Sequence, residues 1–178
     1  ETNSEPVTTT AAATEAGDVT WYTDWDAGMK AAKEADKPVY VHFTADWCVW
    51  CKRMEEDTYS VDEVKKRMAS DWVTIKIDTE DQSGSGHMYL DQESRNAYAF
   101  FNGEKPADVE TKTLSNAELV GFFGGSLPTL LFIDKDGKLI YPNKGYVPEK
   151  EFKAMLDYFH DEIYENEVKL NDYIKDHS

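Results

Sequence analysis

FTADWCVWCK, residues 43–52, contains both cysteines of this 178-residue chain, and only two residues separate Cys48 from Cys51. The run at residues 39–43 predicts a buried strand, and the residues after it predict a turn that enters a helix. Cys48 is therefore expected in the first turn of that helix, where free N–H groups and the helix dipole stabilise a thiolate. A C-x-x-C pair in this position indicates redox chemistry, in which Cys48 attacks a substrate disulfide and Cys51 resolves the mixed disulfide.

The two cysteines also fit metal binding or a purely structural disulfide. A zinc site needs two further ligands, and the four histidines lack the H-x₃₋₅-H spacing that would supply them. His87 and Met88 would complete a soft site for Cu(I), so a Cu(I)-binding metallochaperone is the alternative function. A third hypothesis is a binding module that keeps the fold and captures a partner without catalysis.

The charge and composition of the chain exclude several classes of protein. Lys and Arg number 19 against 35 Asp and Glu, a formal net charge of −16, which argues against a nucleic-acid partner and against anionic lipid. Aromatic residues make up 13% of the chain, far more than a disordered chain carries. No apolar run approaches the roughly 18 residues of a membrane-spanning helix, so no membrane insertion of the domain is expected.

One domain is predicted over residues 21–165, between a leader and a tail. Residues 1–20 contain six Thr and few large apolar groups, which is typical of a flexible leader or tether. Residues 83–113 are polar and are interpreted as an insertion. The tail, residues 166–178, is predicted to form a helix.

The insertion is expected to hold one short helix. Leu90, Ala97, Tyr98 and Phe101 fit one face of that helix, and Gly103 would stop it.

Three further helices are indicated by capping signals and apolar periodicity. Asp24 or Asp26 is expected to cap the first, which Pro38 ends. Residues 60–63, Ser-Val-Asp-Glu, have the pattern of a capping box at the start of the second. The third starts at Pro148 and is expected to face the core with the stripe Phe152, Met155, Leu156, Phe159 and Ile163.

The predicted strands alternate with helices in the order β-α-β, insertion, α-β-β-α. The strands at 39–43 and 72–78 flank a crossover helix and are expected to be parallel. Those at 129–133 and 138–141 flank a turn and are expected to form an antiparallel hairpin. The fold class is therefore α/β, with a central mixed β-sheet flanked by helices on both faces.

The stretch 43–52 resembles the active-site segment of the thioredoxin superfamily. GSLPTLLF, residues 125–132, looks like the segment around that family's cis-proline, so the insertion would precede the cis-proline half of the fold. WCVWCK and the Trp-rich leader resemble periplasmic thioredoxin-like proteins, similar to the C-terminal domain of the thiol-disulfide interchange reductase. The resemblance covers residues 21–82 and 114–165 and implies a thioredoxin fold.

The resemblance also implies roles for residues around the cysteines. Pro128 would be cis and lie against the C-x-x-C pair, leaving the backbone of Leu127 free to pair with a bound peptide. Trp47 would shield the nucleophile. The dipeptide Val49-Trp50 departs from the Gly-Pro of cytosolic thioredoxins. Its apolar, aromatic surface is expected to help dock a partner protein, since aromatic anchors dominate such surfaces.

His42 departs from the family pattern, which has a buried acid under the second cysteine at this position. An imidazole with a near-neutral pKa would accept the proton of Cys51, directly or through water, and a protonated imidazole would favour the thiolate. The alternative is a packed, hydrogen-bonded histidine of a strand with no chemical role.

These observations predict a thiol-disulfide oxidoreductase without a cofactor. Its partners would be protein thiols and disulfides and a redox partner protein. A reductase or isomerase is favoured, although the same residues serve an oxidase. The resemblance implies a periplasmic or secreted location, with the leader as a tether, and the insertion would narrow the choice of substrate.

Overall fold

The computed structural model describes residues 18–81, 85–91, 96–99 and 110–178. Two short helical turns of other types accompany the α-helices, a π-helical turn at Met54–Thr58 and a 3₁₀ turn at Ile163–Asn166. The strands and α-helices in chain order are β1 Trp21–Tyr22, α1 Trp25–Ala35, β2 Val39–Thr44, α2 Val49–Arg53, α3 Asp62–Asp71, β3 Val73–Asp78, β4 Ser85–Asp91, β5 Asn96–Ala99, β6 Glu110–Ser115, α4 Asn116–Phe122, β7 Thr129–Ile133, β8 Leu139–Lys144, α5 Glu149–His160 and α6 Leu170–His177.

A five-stranded mixed sheet with the order β1-β3-β2-β7-β8 forms the centre of the molecule. β2 pairs with β3 in parallel, and the hairpin of β7 and β8 is antiparallel, as the sequence predicts. β7 also runs antiparallel to β2. The predicted α/β class with a central mixed sheet is therefore confirmed, and β2 is its middle strand.

Alternate side chains of β2 enter two different cores. Val39, Val41 and Phe43 pack with α1 residues on one face of the sheet. Tyr40 packs on the other face with residues of α3 and α5. Because successive residues of a strand point to opposite faces, His42 shares the face of Tyr40. Helices therefore cover both faces, and the burial of apolar surface against them is the main force that holds the sheet.

The cap and the end of α1 follow from its sequence. The Asp24 side chain accepts a hydrogen bond from the backbone N–H of Ala27 at 2.8 Å, so Asp24 rather than Asp26 is the cap. The helix ends at Asp36, which has a left-handed backbone conformation two residues before Pro38. Met29 and Ala32, one turn apart, are buried against the sheet.

The capping box predicted at residues 60–63 is wrong. α3 begins one residue later than expected, with Val61 in the cap position and no side-chain cap. The hydroxyl of Ser60 donates instead to the carbonyl oxygen of Glu56 in the preceding π-helical turn. A serine hydroxyl can hydrogen-bond to the segment before it or to the segment after it, and here it bonds to the segment before it.

The helix predicted within the insertion is also wrong. β4, β5 and β6 form a separate antiparallel sheet with the order β5-β4-β6. Leu90 and Ala97, assigned to one helical face, are cross-strand partners in β4 and β5, and Tyr98 lies in β5. Positions seven apart share a helical face, but they can equally well be cross-strand partners in a hairpin. Phe101 and Gly103 lie outside the described residues.

The C-terminal helices complete the second core. Phe152, Met155, Leu156 and Phe159 of α5 are buried as predicted, while Ile163 is partly buried. α6 packs against this core through Leu170, Tyr173 and Ile174. Within the described ranges, no helix has the length and apolar character needed to cross a bilayer.

Candidate functional site

Cys48 and Cys51 form a disulfide at the start of α2. Cys48 occupies the cap position, and its sulfur accepts a hydrogen bond from the backbone N–H of Cys51 at 3.1 Å. Residue 48 therefore stands where the sequence predicts, at the positive end of a helix. After reduction, the same N–H group and the helix dipole favour a thiolate on Cys48.

The disulfide is recessed, whereas its neighbours in sequence are exposed. Cys48 is 3% and Cys51 is 1% exposed, and the sulfur of Cys51 lies 3.8 Å from the carbonyl oxygen of Phe43 in β2. Trp47, Val49 and Trp50, which we call the apolar patch, are all more than half exposed. Exposed large apolar side chains that adjoin one another mark interaction surfaces.

Contacts with neighbouring side chains hold Trp50 in the apolar patch. Its ring centroid lies 5.6 Å from that of Tyr146, and the guanidinium carbon of Arg53 lies 5.8 Å from the indole ring. A cation near an aromatic face is attracted by the ring quadrupole. Trp50 therefore presents a supported, exposed aromatic surface beside the disulfide.

The segment before β7 reaches the same end of the sheet. The Leu127–Pro128 peptide bond is cis, and Pro128 is buried. The carbonyl oxygen of Pro128 accepts a hydrogen bond from the N–H of Gly145 at 2.8 Å. Thr129 is the register partner of Phe43, so this segment lies beside the end of β2 that leads to the cysteines.

His42 is fully buried and takes part in a hydrogen-bond chain with two tyrosines. Its Nδ1 lies 2.9 Å from the hydroxyl of Tyr59, which lies 2.5 Å from the hydroxyl of Tyr40. Nε2 is buried and has no hydrogen-bond partner among the described residues. The ring of Trp21 lies against both His42 and Tyr59, at 6.4 and 5.2 Å between centroids.

Burial controls the charge of the three side chains in this hydrogen-bond chain. Loss of hydration, with a smaller contribution from the positive charge of Lys76, lowers the pKa of His42 to about 3. That pKa is far below the near-neutral value expected from the sequence, and the imidazole is neutral at neutral pH. Burial also raises the pKa of Tyr40 and of Tyr59 well above the ordinary value, so both phenols keep their protons.

Lys76 lies close to this hydrogen-bond chain and is held there by contacts with Glu55 and Trp21. It is the register partner of His42 on β3 and forms an ion pair with Glu55. Its ammonium nitrogen lies 4.4 Å from the centre of the Trp21 ring. The cation therefore disfavours a second positive charge on His42.

The structure adds three groups that are not predicted from the sequence, Tyr59, Trp21 and Lys76. Tyr59 follows the π-helical turn, and its N–H bonds to the carbonyl oxygen of Met54, five residues back. Sequence periodicity does not reveal such a turn, because it assumes 3.6 residues per turn. Lys76 could have been found from the parallel register of the two predicted strands.

The copper alternative stays a prediction. The side chains of His87 and Met88, which it requires beside the cysteines, lie outside the described residues. Among the residues that are described, no group of three or more His, Cys, Asp or Glu side chains could hold a metal ion.

Comparison with known proteins agrees with this architecture. A thioredoxin H-type of Brassica oleracea is 28% identical over 105 residues, which cover 54% of this chain and 81% of that protein. Human spermatogenesis-associated protein 20 is 26% identical over 72 residues, or 40% of this chain, and the match spans only 9% of that relative's length.

Solved structures share the fold. A thioredoxin-fold protein from Helicobacter pylori superimposes with a TM-score of 0.58 and 24% identity, covering 79% of this chain and 84% of that one. A DsbH oxidoreductase gives a TM-score of 0.53 and 19% identity over 89% of this chain and 95% of that one. The family model described as a thioredoxin-like domain matches residues 25–160, which include the disulfide, His42 and the Leu127–Pro128 segment. The chain therefore belongs to the thioredoxin-like domain family.

Proposed function

We propose that this protein is a thiol-disulfide oxidoreductase that exchanges disulfides with other proteins through Cys48 and Cys51. The observation that supports it most is a recessed disulfide at a helix start, bordered by the exposed apolar patch. The apolar patch offers anchors for a protein substrate, since aromatic side chains contribute most of the binding energy at interfaces.

The exchange begins with the reduced protein. The Cys48 thiolate attacks one sulfur of a substrate disulfide, forms a mixed disulfide and releases the other substrate sulfur as a thiolate. The Cys51 thiol loses its proton and attacks the sulfur of Cys48. The Cys48–Cys51 disulfide forms again, the second substrate thiol leaves, and two electrons have passed to the substrate.

The residues around the disulfide have supporting roles in this proposal. Trp47 and Trp50 contact the substrate, and the backbone of Leu127 pairs with its chain beside Pro128. His42, on the strand that leads to the cysteines, acts on the protonation of Cys51. The lowered pKa of His42 supports an action by the neutral imidazole.

A reductase or isomerase is the proposed direction of exchange, in a periplasmic or secreted location with residues 1–20 as a tether. The support is the resemblance of WCVWCK to periplasmic thioredoxin-like proteins. A redox partner protein would restore the starting state of the cysteine pair after each exchange.

Trapping of a mixed disulfide tests the exchange. Cys51→Ser cannot resolve the mixed disulfide, so we expect it to accumulate a covalent adduct with a disulfide-bonded protein such as insulin. Cys48→Ser is the matched control, in which no adduct should accumulate. Equal amounts of adduct from both variants, or none from either, would contradict the proposal.

The reduction potential of the cysteine pair tests the direction. Thiol trapping in defined redox buffers should give a value near roughly −270 mV for a reductase or roughly −180 mV for an isomerase. A value near roughly −120 mV is typical of an oxidase and would overturn the proposed direction.

A further inference from the structure

The buried chain of Tyr40, Tyr59 and His42 has a fixed number of protons to share. Each hydroxyl carries one proton, and the neutral imidazole carries one on either Nδ1 or Nε2. The hydroxyl of Tyr59 stands between the other two groups, at 2.5 Å from the Tyr40 oxygen and 2.9 Å from Nδ1. The direction of these two hydrogen bonds therefore decides which ring nitrogen is protonated.

The two tautomers differ in how many buried groups they leave without a partner. If Nε2 carries the proton, Tyr40 donates to Tyr59, Tyr59 donates to Nδ1, and Nε2–H alone has no acceptor among the described residues. If Nδ1 carries the proton, it donates to Tyr59. Then the lone pair of Nε2 and one tyrosine hydroxyl proton are both left unpaired. Because each unpaired buried polar group is costly, the network favours the Nε2–H tautomer.

We propose that Tyr59 is a positioning residue that holds His42 as a neutral Nε2–H tautomer, whose N–H group has no acceptor in the disulfide form and becomes a donor to the Cys51 thiolate after reduction. This inference rests on the proposed disulfide exchange. When Cys51 loses its proton during that exchange, the Nε2–H group stabilises the resulting thiolate and does not itself take the proton. His42 thus acts here as a neutral donor and not as the proton acceptor considered in the sequence analysis.

The position of His42 supports this assignment. His42 lies next to Phe43, whose carbonyl oxygen is 3.8 Å from the sulfur of Cys51. Met54, in the turn that continues α2, packs in the core cluster that also contains Tyr40 and Tyr59. The segment that carries Cys51 therefore covers the face of β2 from which the His42 side chain projects.

The charged and titratable groups around His42 do not supply a better proton acceptor. The neighbouring residue on β7 is the apolar Leu130, and the neighbouring residue on β3 is the cation Lys76. The carboxylate of Glu55 is already paired with Lys76. The other titratable groups linked to His42 are Tyr59, which hydrogen-bonds to its ring, and Tyr40, which hydrogen-bonds to Tyr59. The low pKa of the imidazole agrees with a neutral ring in this setting.

Nuclear magnetic resonance of ¹⁵N-labelled histidine tests the tautomer without any need for activity. In the wild-type protein, we expect a proton on Nε2 of His42 and a lone pair on Nδ1. Tyr59→Phe keeps the aromatic ring and removes the hydroxyl, so we expect the tautomer ratio to fall about tenfold, the factor that one typical hydrogen bond supplies. A proton on Nδ1 in the wild type, or an unchanged ratio in Tyr59→Phe, would overturn the inference.

The matched control is Tyr158→Phe. Tyr158 and Tyr59 are both 5% exposed, and the hydroxyl of Tyr158 donates to the carbonyl oxygen of Val168, far along the chain from the site. This variant also loses one buried tyrosine hydroxyl, so a general effect on stability would appear in it too. The tautomer ratio of His42 should stay at the wild-type value.

The second measurement is the titration of Cys51 in the reduced protein, which is monitored through the ¹³Cβ resonance of this residue. Tyr59→Phe should lower the thiolate fraction of Cys51 at a given pH, because a smaller share of the molecules then carries the donor on Nε2. An unchanged titration would contradict the role. If wild-type protein fails to exchange disulfides while the tautomer is as expected, the proposed function fails and the positioning by Tyr59 stands.

Discussion

The imidazole of His42 links the stability of the folded protein to pH. Its pKa is lowered to about 3 in the folded state and returns to about 6.5 when the chain unfolds. Between these values the unfolded state binds one more proton than the folded state. The free energy of unfolding therefore falls as the pH falls, by about 1.4 kcal/mol per pH unit from this residue alone.

His42→Phe should remove this part of the acid sensitivity. We expect the variant to lose about 1.4 kcal/mol less stability than the wild type for each pH unit between pH 6 and pH 4. Urea unfolding at several pH values measures the slope, which does not depend on the absolute stability of the variant. Tyr158→Phe, which removes a buried hydroxyl and leaves His42 in place, is the control and should keep the wild-type slope. Parallel slopes for His42→Phe and wild type would show that His42 is not held neutral.

Trp50 should matter for large substrates and not for small ones. Trp50→Ala removes an exposed aromatic anchor of the apolar patch, so we expect kcat/KM for a protein disulfide to fall about tenfold. The rate with a small aromatic disulfide should change little. Val168→Ala removes another exposed apolar side chain, outside the apolar patch, and should leave both rates unchanged. An equal loss with both substrates would show that Trp50 acts on the cysteines and not on docking.

At the residue scale, the sequence predicts groups whose position follows from local structure. Cys48 lies at the start of a helix because a strand ends just before it, and this was predictable. Tyr59 was not, because its position depends on a π-helical turn and on contacts across β2 and β1. The lowered pKa of His42 likewise depends on burial, which a single position in a sequence does not show.

At the scale of elements, α1 packs closely on β3 at Gly28. A Cβ atom added there would overlap the side chain of Ile75, which has no exposed surface. Gly28→Ala should destabilise the protein by about 1–3 kcal/mol, because overpacking outweighs the better helix propensity of alanine. Thermal or urea unfolding measures the change.

Gly121 in α4 provides the matched control for Gly28. A Cβ atom added at Gly121 meets no atom within 4 Å. Gly121→Ala should therefore stabilise the protein by up to about 1 kcal/mol. If both variants are stabilised, the close contact between α1 and β3 is not rigid.

The helices and strands differ in how well the sequence predicts them. The sequence marks α1 with a cap and a proline stop and α5 with a long apolar stripe, and both predicted helices are confirmed. The strands of the insertion are short, and the spacing of Leu90 and Ala97 fits a helix and a hairpin alike. Only pairing with β6, which is distant in sequence, decides between them, and local periodicity carries no information about that pairing.

At the scale of the whole molecule, the segment that carries the second sheet leaves and re-enters the domain at adjacent points. The side-chain amide of Asn116 donates to the carbonyl oxygen of Asp78 at 3.3 Å, so the chain leaves the domain and returns to it at nearly the same place. A short linker can therefore replace residues 83–113. We predict that the shortened protein folds and reacts with a broader range of unfolded protein disulfides than the wild type.

Competition between several disulfide-bonded proteins, some folded and some unfolded, measures this selectivity. A variant in which a Gly/Ser segment of equal length replaces residues 83–113 is the control, since it keeps the length but not the strands. It should show the same broadening. Wild-type selectivity in the shortened protein would refute a role of the insertion in substrate choice.

The two edges of the central sheet bear on how this protein avoids self-association. One edge strand, β1, is only two residues long, and the other, β8, contains Pro142, which has no backbone N–H, and the charged Lys144. Short edge strands, proline and lysine all hinder the addition of a foreign strand, which is the usual first step of aggregation. A chain that exposes two tryptophans beside its disulfide therefore offers a second copy of itself little of the central sheet to extend.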